Sequence, residues 1–372
     1  MKVGITGSNG FIGKNLVEHL GRVEDLEVIN FTRSSSSADL ENLVESVDFI
    51  FHLAGINRPE NPQEFYEGNQ DLTQRIVDLA LKSGKKTPIL ISSSTQAERD
   101  NDYGKSKLGG EAALTAYAKE SGAPVYIYRL PNVFGKWSRP NYNTVIATWC
   151  NNITRDIPLE VNDESVALDL VYIDDVVEHF LRHLDALSNN RQSGVVYPEV
   201  YPVYNETLGS IRDLLVDFKE SRKHLVTPPV GRGFPRALYA TYLSFLPTDQ
   251  FSYELKGYSD ERGTFYEFLK TQDSGQFSIS TSAPGVTRGN HYHNSKNEKF
   301  LVIKGEASIK LRQIHGDEVI EYKVSDKKIE VVEMIPGYTH DISNTGDDEM
   351  ILLLWANEIF DRDKPDTYFL EV

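Results

Sequence analysis

The chain has 372 residues, with 39 lysines and arginines against 55 aspartates and glutamates, a formal net charge of −16. That acidity argues against non-specific nucleic-acid binding and leaves any anionic substrate dependent on a local cluster of cations. With 40% hydrophobic and 25% charged residues, no apolar run of membrane length and a single cysteine, Cys150, it reads as a globular protein of two domains from a reducing compartment, without an internal disulfide.

MKVGITG opens the chain as a strand, not as a charged leader before an apolar core, so export is not expected and the location is read as cytoplasmic. GKNLVEHLGRV has helical spacing. LEVINFT and VDFIFHLAG are strands, TQRIVDLALKSG a helix, PILISSS a strand, KLGGEAALTAYAKESG a helix and PVYIYRL a strand. This alternation predicts an α/β doubly wound parallel sheet with right-handed crossovers. Its central strands are near-continuous apolar runs, as expected when both faces are covered. After TPPVGRGFPRALYATYLSFLP the runs shorten to QFSIST, EKFLVIKGEASIKLRQI, EVIEYKV, KIEVVEMI and EMILLLWA, divided by turn sequences such as SDERG, HGD and NTGDD. Many short strands with little helix predict an all-β sandwich or barrel. The boundary falls near residues 243–250, giving domains of residues 1–245 and 246–372.

GITGSNGFIG sets Gly7, Gly10 and Gly13 between the first strand and the first helix. Backbone there can approach a pyrophosphate, and helix N–H groups can point at it. The second strand ends Phe31-Thr32-Arg33, without the acid that would bind ribose hydroxyls. A guanidinium at Arg33 suits a 2′-phosphate, so the cofactor is read as NADPH rather than NADH. Tyr103 and Lys107 are four apart, on one helix face. The ammonium is expected to draw the tyrosine pKa down toward working pH. Such a tyrosine gives a proton to a carbonyl as hydride arrives. A hydroxyl at the end of PILISSS, Ser94 with Thr95 as the alternative, would hold the carbonyl oxygen.

These features resemble the extended short-chain dehydrogenase/reductase family of nucleotide-sugar epimerases, dehydratases and reductases, over about residues 1–240. The resemblance rests on the glycine turn, FHLAG with Ala54 and Gly55, Asn69, the SSS strand, YGKSK, RLPNVFG at 129–135 and LVYIDDV at 170–176. It implies a Rossmann-type fold with cofactor contacts from Gly7, Gly10, Phe11, Ile12, Gly13, Ala54, Gly55, Tyr103 and Lys107. It also implies catalysis by Ser94, Tyr103 and Lys107, and substrate contacts from Arg129, Pro131 and Asn132. Only eight residues separate Ser94 from Tyr103, fewer than in most of the family, and the usual Tyr-Gly after the serines is absent. The acids of LVYIDDV are read as caps for the helix that follows.

In the second half, GVTRGNHYHNSKNEKFLVIKG fits G-x5-H-x-H-x4-E-x6-G, with Gly285, His291, His293, Glu298 and Gly305. EMIPGYTHDISN follows with Gly337, His340 and Asn344. Residues two apart on a strand share a side, so His291 and His293 aim together. Glu298 returns from the next strand and His340 completes the set. Three imidazoles and a carboxylate suit one divalent metal, with zinc taken ahead of iron, manganese, nickel and copper. The pattern resembles the cupin superfamily, a small double-sheeted barrel, although Ile335 stands where the second motif usually has proline. DERGTFYEF at 260–268 and TRGNHYH at 287–293 are similar to the dTDP-4-keto-6-deoxyglucose 3,5-epimerases. That likeness implies substrate contacts from Arg262, Glu267 and Arg288, across a dimer in many relatives. It also places the family's base on His291, which the metal claims as well. With a metal bound, the base is another group.

A 4-keto sugar nucleotide connects the halves. Its ketone acidifies the C3 proton, and the same ketone is what a tyrosine–lysine site reduces. The whole chain is similar to the bifunctional capsular-polysaccharide enzymes of the UDP-L-N-acetylfucosamine pathway. This resemblance implies C3 epimerisation of a UDP-2-acetamido-2,6-dideoxy-4-keto-hexose on the barrel. NADPH reduction at C4 to UDP-2-acetamido-2,6-dideoxy-L-talose follows. Epimerisation comes first, because C3 is acidic only while C4 is a ketone. A homodimer is expected, with no nucleic-acid or membrane partner. Three other readings stay open: a barrel of another metalloenzyme class such as an iron oxygenase, a non-catalytic metal-stabilised dimerisation module, and a sugar-nucleotide sensor. The last has no need of the Tyr103–Lys107 pair.

Overall fold

The computed structural model describes residues 1–186 and 193–372. The chain divides into two units, Met1–Leu215 with Arg236–Leu246, and Val216–Pro235 with Pro247–Val372. Among the described residues no helix is long and apolar enough to cross a membrane.

In the first unit, β1 (Lys2–Thr6), β2 (Glu27–Phe31), β3 (Phe49–His52), β4 (Ile89–Ser94) and β5 (Pro124–Leu130) are joined at the edge by the strand Gly194–Val196. All six are parallel, in the order β2-β1-β3-β4-β5 and then Gly194–Val196. The helices α1 (Phe11–Leu20), α2 (Ser37–Ser46), α3 (Leu72–Ser83) and α4 (Asp102–Ser121) lie between successive strands. Leu43, Ile76, Leu114 and Tyr117 of α2, α3 and α4 pack on one face of the sheet against Ile50, Ile89 and Val125. On the other face Phe51 stacks on Phe180 of the helix Ile173–Ala186, and Tyr128 meets the same ring edge to face. Burial on both faces explains why these strands read as unbroken apolar runs. The strand order reverses beside β1, so a crevice opens at the C-terminal ends of β1 and β3, where folds of this kind bind dinucleotides.

The second unit is built from two antiparallel sheets of cupin type. One runs in the order Gly257–Asp260, Gly263–Thr271, Gly275–Ser282, Met350–Ala356, Glu298–Lys304, Val331–Met334. The other runs Val319–Ser325, Glu306–Gln313, Tyr338–Asn344, Thr287–Tyr292, Tyr368–Phe369. Their inner faces share one core, with Phe300, Val302 and Leu352 from the first sheet against Ile309, Leu311 and Ile342 from the second. The strand Thr287–Tyr292 carries a bulge between Gly289 and His291. Arg288 lies opposite Ile342 and His291 opposite His340. Both therefore face the core side, although three residues apart on a regular strand would face opposite ways.

Candidate active sites

The turn after β1 is tied to the sheet by the Gly7 N–H, which donates to the Phe31 carbonyl at 2.9 Å, and is closed by the Gly10 N–H on the Gly7 carbonyl at 2.9 Å. A side chain at Gly13 would strike that same carbonyl, so α1 can start this close to the turn only with glycine there. Gly10 precedes α1 without a side-chain cap, which leaves the N–H groups of Phe11 and Ile12 for a ligand. A cavity of about 580 Å³ beside the turn is lined by Ser8, Asn9, Lys14, Asn30, Thr32 and Trp137. Arg33 is exposed on the loop after β2 and does not line it. Ala54 closes over Gly7: a side chain on Gly7 would meet the Ala54 backbone. This arrangement fits a dinucleotide.

Ser94 and Tyr103 meet at the end of β4, and Lys107 anchors on the carbonyl of Ser92 in the same strand. Asn101 caps α4 by accepting the Gly104 N–H at 2.8 Å, which sets Tyr103 and Lys107 in successive turns of that helix. A Cβ at Gly104 would fall 2.4 Å from the Arg99 carbonyl and 2.5 Å from that of Gln96, so this first turn seats against the loop after β4 only as glycine. That approach brings the Tyr103 phenol to the Ser94 hydroxyl, not to Thr95, whose side chain is exposed. Phe65 covers the ring, with centroids 5.6 Å apart.

The fall in the Tyr103 pKa expected from the sequence is not found. Burial pushes the phenol up, and the hydrogen bond with Ser94 only partly opposes it. The reason is where Lys107 points. Its ammonium donates to the Ser92 carbonyl at 3.1 Å and lies beneath Gly55. Burial lowers Lys107 from 10.5 to about 8, with Glu111 pulling the other way. Asn69 braces the same corner, accepting the Ile56 N–H at 2.9 Å and donating to the Ser106 hydroxyl at 3.0 Å. His52, buried between the hydroxyls of Thr6 (2.7 Å) and Thr73 (2.8 Å), is held neutral, with burial and then Lys107 lowering it to about 3.

Arg129 and Asn132 do not join this cluster. Arg129 forks onto Glu111, which is 2% exposed, at 2.7 and 3.2 Å, and reaches Glu98 at 2.5 Å. Glu111 also accepts from the Ser93 hydroxyl. Asn132 is exposed and donates to the Asp169 carbonyl at 3.2 Å. Sequence reading passed over Glu111, although it stands one helical turn after Lys107.

In the second unit His291, His293, Glu298 and His340 converge, with all four ligand atoms within 4.8 Å of one another. Glu298 Oε2 is 3.3 Å from His293 Nε2 and 3.6 Å from His340 Nε2. His293 and His340 are each 1% exposed. His293 Nε2 and both ring nitrogens of His340 are buried and lack a hydrogen-bond partner among the described residues. Buried orphan nitrogens of this kind are costly unless a ligand takes their lone pairs. Burial, with His340 adding to it, lowers His291 to about 4, so its imidazole is neutral and free to ligate. The donor set fits a divalent metal of the zinc class.

The other residues expected at substrate are engaged. Arg262 pairs with Asp260 at 2.5 and 2.9 Å. Arg288, half-buried, donates to the Ser282 hydroxyl and the Thr281 carbonyl, each at 3.1 Å. Glu267 pairs with Lys270 at 2.9 Å.

Comparison with known proteins matches both halves. The pattern of the NAD dependent epimerase/dehydratase family covers residues 3–197, and that of the polysaccharide biosynthesis C-terminal domain covers residues 258–368. A UDP-2-acetamido-2,6-beta-L-arabino-hexul-4-ose reductase of Pseudomonas aeruginosa is 54% identical over 372 residues, 100% of this chain and 99% of the relative. The crystal structure of the capsular polysaccharide assembling protein CapF from Staphylococcus aureus superposes with a TM-score of 0.92 at 48% identity, covering 100% of both chains. A UDP-glucuronic acid 4-epimerase from Bacillus cereus shares the fold of the first unit alone, at a TM-score of 0.56 and 18% identity over 66% of this chain and 96% of that one.

Proposed function

The chain belongs to the NAD dependent epimerase/dehydratase family, and from that premise we propose that it is a bifunctional enzyme of capsular polysaccharide synthesis. Residues 246–372 epimerise C3 of a UDP-2-acetamido-2,6-dideoxy-4-keto-hexose. Residues 1–245 then reduce C4 with NADPH, giving UDP-2-acetamido-2,6-dideoxy-L-talose, in a homodimer. The observation that carries this reading is the meeting of the Ser94 and Tyr103 hydroxyls at the end of β4, with Lys107 buried on the Ser92 carbonyl of the same strand.

NADPH, bound on the glycine turn, supplies the hydride. Ser94 holds the C4 carbonyl oxygen. Tyr103 gives that oxygen its phenolic proton as the carbon accepts hydride, so the ketone becomes a secondary alcohol and the phenol is refilled from solvent. Burial of Tyr103 serves this direction, because a raised pKa keeps the proton in place until it is needed. The Lys107 ammonium, held on the Ser92 carbonyl at 3.1 Å, would contact the bound coenzyme beside this pair. In the barrel, His291, His293, Glu298 and His340 would hold zinc, which supplies positive charge to an enolate oxygen. A base takes the C3 proton from one face and a proton returns on the other. Arg262, Glu267 and Arg288 would contact the nucleotide sugar.

One observation favours a second reading, in which the barrel is a metal-stabilised module and only reduction occurs: Arg262 and Arg288 already have partners within the unit. One experiment separates the two. The 4-keto sugar nucleotide is supplied in deuterated water and C3 deuteration is followed by NMR, with and without NADPH. Exchange without NADPH, kept in Tyr103→Phe and lost in His340→Ala, supports the bifunctional reading. NADPH oxidation with no C3 exchange overturns it.

A further inference from the structure

The tail of the chain, residues 365–370, belongs to none of the motifs that point to the metal cluster, yet it closes one side of that cluster. His293 Nδ1 lies 2.6 Å from the Asp366 carbonyl. A carbonyl only accepts, so Nδ1 carries the proton and Nε2 offers its lone pair toward Glu298. The Asp366 carboxylate takes the N–H of Asn294 at 3.0 Å on one oxygen. On the other it takes the N–H of Ser295 at 2.9 Å, the N–H of Lys296 at 2.8 Å and the Ser295 hydroxyl at 3.1 Å. These bonds fix the turn that joins His293 to Glu298. Lys296, 5% exposed, returns the grip: its ammonium donates to the Pro365 carbonyl at 2.8 Å and to the Thr367 hydroxyl at 2.9 Å. Beyond them Tyr368 and Phe369 pair with Tyr292 and His291. The Leu370 N–H donates to the Asn290 carbonyl at 3.0 Å, and the Leu370 carbonyl accepts from Thr339, the neighbour of His340.

We infer that residues 365–370 are a clasp for the metal site, with Asp366 and Lys296 as positioning residues, so that docking of the tail and loading of the metal are one coupled equilibrium. The inference rests on the reading of the four-residue cluster as a metal centre. The physical reason is that a ligating imidazole needs its second nitrogen held for its tautomer and ring plane to be fixed. Here the holder is the backbone of the tail. Coupling is reciprocal: whatever loosens the tail weakens the metal, and removing the metal loosens the tail.

The test uses the full chain and zinc, with affinity measured by competition against a chelator. Asp366→Gly keeps the carbonyl and permits the positive φ of 40° found there, while removing the carboxylate. Its zinc dissociation constant is expected to rise by about 10–100-fold, with the folded state checked by circular dichroism. A change of less than about twofold overturns the clasp. Hydrogen exchange on the unaltered chain tests the same coupling without any substitution. The amides of Ser295, Lys296 and Leu370 are expected to exchange at least about tenfold faster after chelation, and equal rates overturn the inference. Zinc that binds the unaltered and Asp366→Gly chains alike sinks only the clasp. An unaltered chain that takes up no zinc sinks the metal centre and the clasp together.

Discussion

Replacing Lys107 by methionine is expected to make the first unit more stable while it stops reduction. Lys107 is 8% exposed, and burial is the main cause of its fall from 10.5 to about 8, with Glu111 opposing. At about 1.36 kcal/mol for each pH unit, that distance means the fold disfavours the ammonium by about 3 kcal/mol. Methionine keeps much of the packing volume and removes the charge. It also orphans the Ser92 carbonyl, which accepts from Lys107 at 3.1 Å, a loss of about 1–3 kcal/mol. The net expectation is a gain of roughly 0–2 kcal/mol at pH 7. Its pH dependence has a definite sign. Below about pH 8 folded and unfolded chains both carry the proton, and the penalty is present in full. From about pH 8 to 10.5 the unfolded chain keeps a proton that the folded chain has released, so stability rises with pH. Lys107→Met lacks that rise. Urea denaturation at pH 7 and at about pH 9.5 measures it, in a Trp355→Phe background where Trp137 and Trp149 report the first unit alone. Reduction of the 4-keto substrate is expected to fall by at least about 100-fold. A variant less stable than the unaltered chain at pH 7, or one with the same rise toward alkaline pH, would refute the burial argument.

Glu111→Gln leaves Arg129, 28% exposed, with Glu98 as its remaining carboxylate, and unfolding of the first unit is expected to become easier by about 1–3 kcal/mol; urea denaturation followed by fluorescence measures it. Arg33→Asp is expected to raise KM for NADPH by about tenfold or more while leaving NADH within a few-fold, read from initial rates with each coenzyme; an equal effect on both coenzymes would mean that Arg33 does not read the 2′-phosphate. Gly289→Ala places a Cβ 2.7 Å from the His340 carbonyl at a φ of +101°, so the barrel should lose roughly 1–3 kcal/mol and bind zinc more weakly, measured by thermal unfolding and metal content. Chelation of the metal should abolish C3 exchange yet leave NADPH oxidation with the C3-epimerised ketone unchanged.

The parts of this molecule that could be read from its sequence are those where chemistry restricts residue type. β1, β3, β4 and β5 announce themselves because burial on both faces favours apolar side chains, as at Ile50, Phe51, Leu90 and Ile127. The four residues of the histidine–glutamate cluster are legible because few side chains other than imidazole and carboxylate make good ligands, and two antiparallel sheets bring them together. The phenol–ammonium relation was misjudged because a spacing of four puts Tyr103 and Lys107 on one helix face but leaves four torsions undetermined. The Ser92 carbonyl and the gap beneath Gly55, not the phenol, decide where the ammonium goes. The motif around Arg129 does not reveal that Glu111, buried one turn after Lys107, takes its guanidinium.

The bulge before His291 hid for a related reason. Alternation puts Arg288 and His291 on opposite faces, and only the pairing of Arg288 with Ile342 and of His291 with His340 restores both to the inside. Asp366 stands 73 residues from His293 and offers it a main-chain carbonyl. Any residue but one held elsewhere could supply that oxygen, so nothing in residue type marks the role. What does mark Asp366 is its carboxylate, which takes three successive backbone N–H groups and thereby fixes where its own carbonyl points. Side chains that ligate are therefore written in the sequence, whereas the groups that orient them appear only when the chain is folded. That asymmetry is why the decisive substitution for the proposed metal centre is Asp366→Gly, which spares all four cluster residues and the accepting carbonyl, and removes only what holds that carbonyl in place.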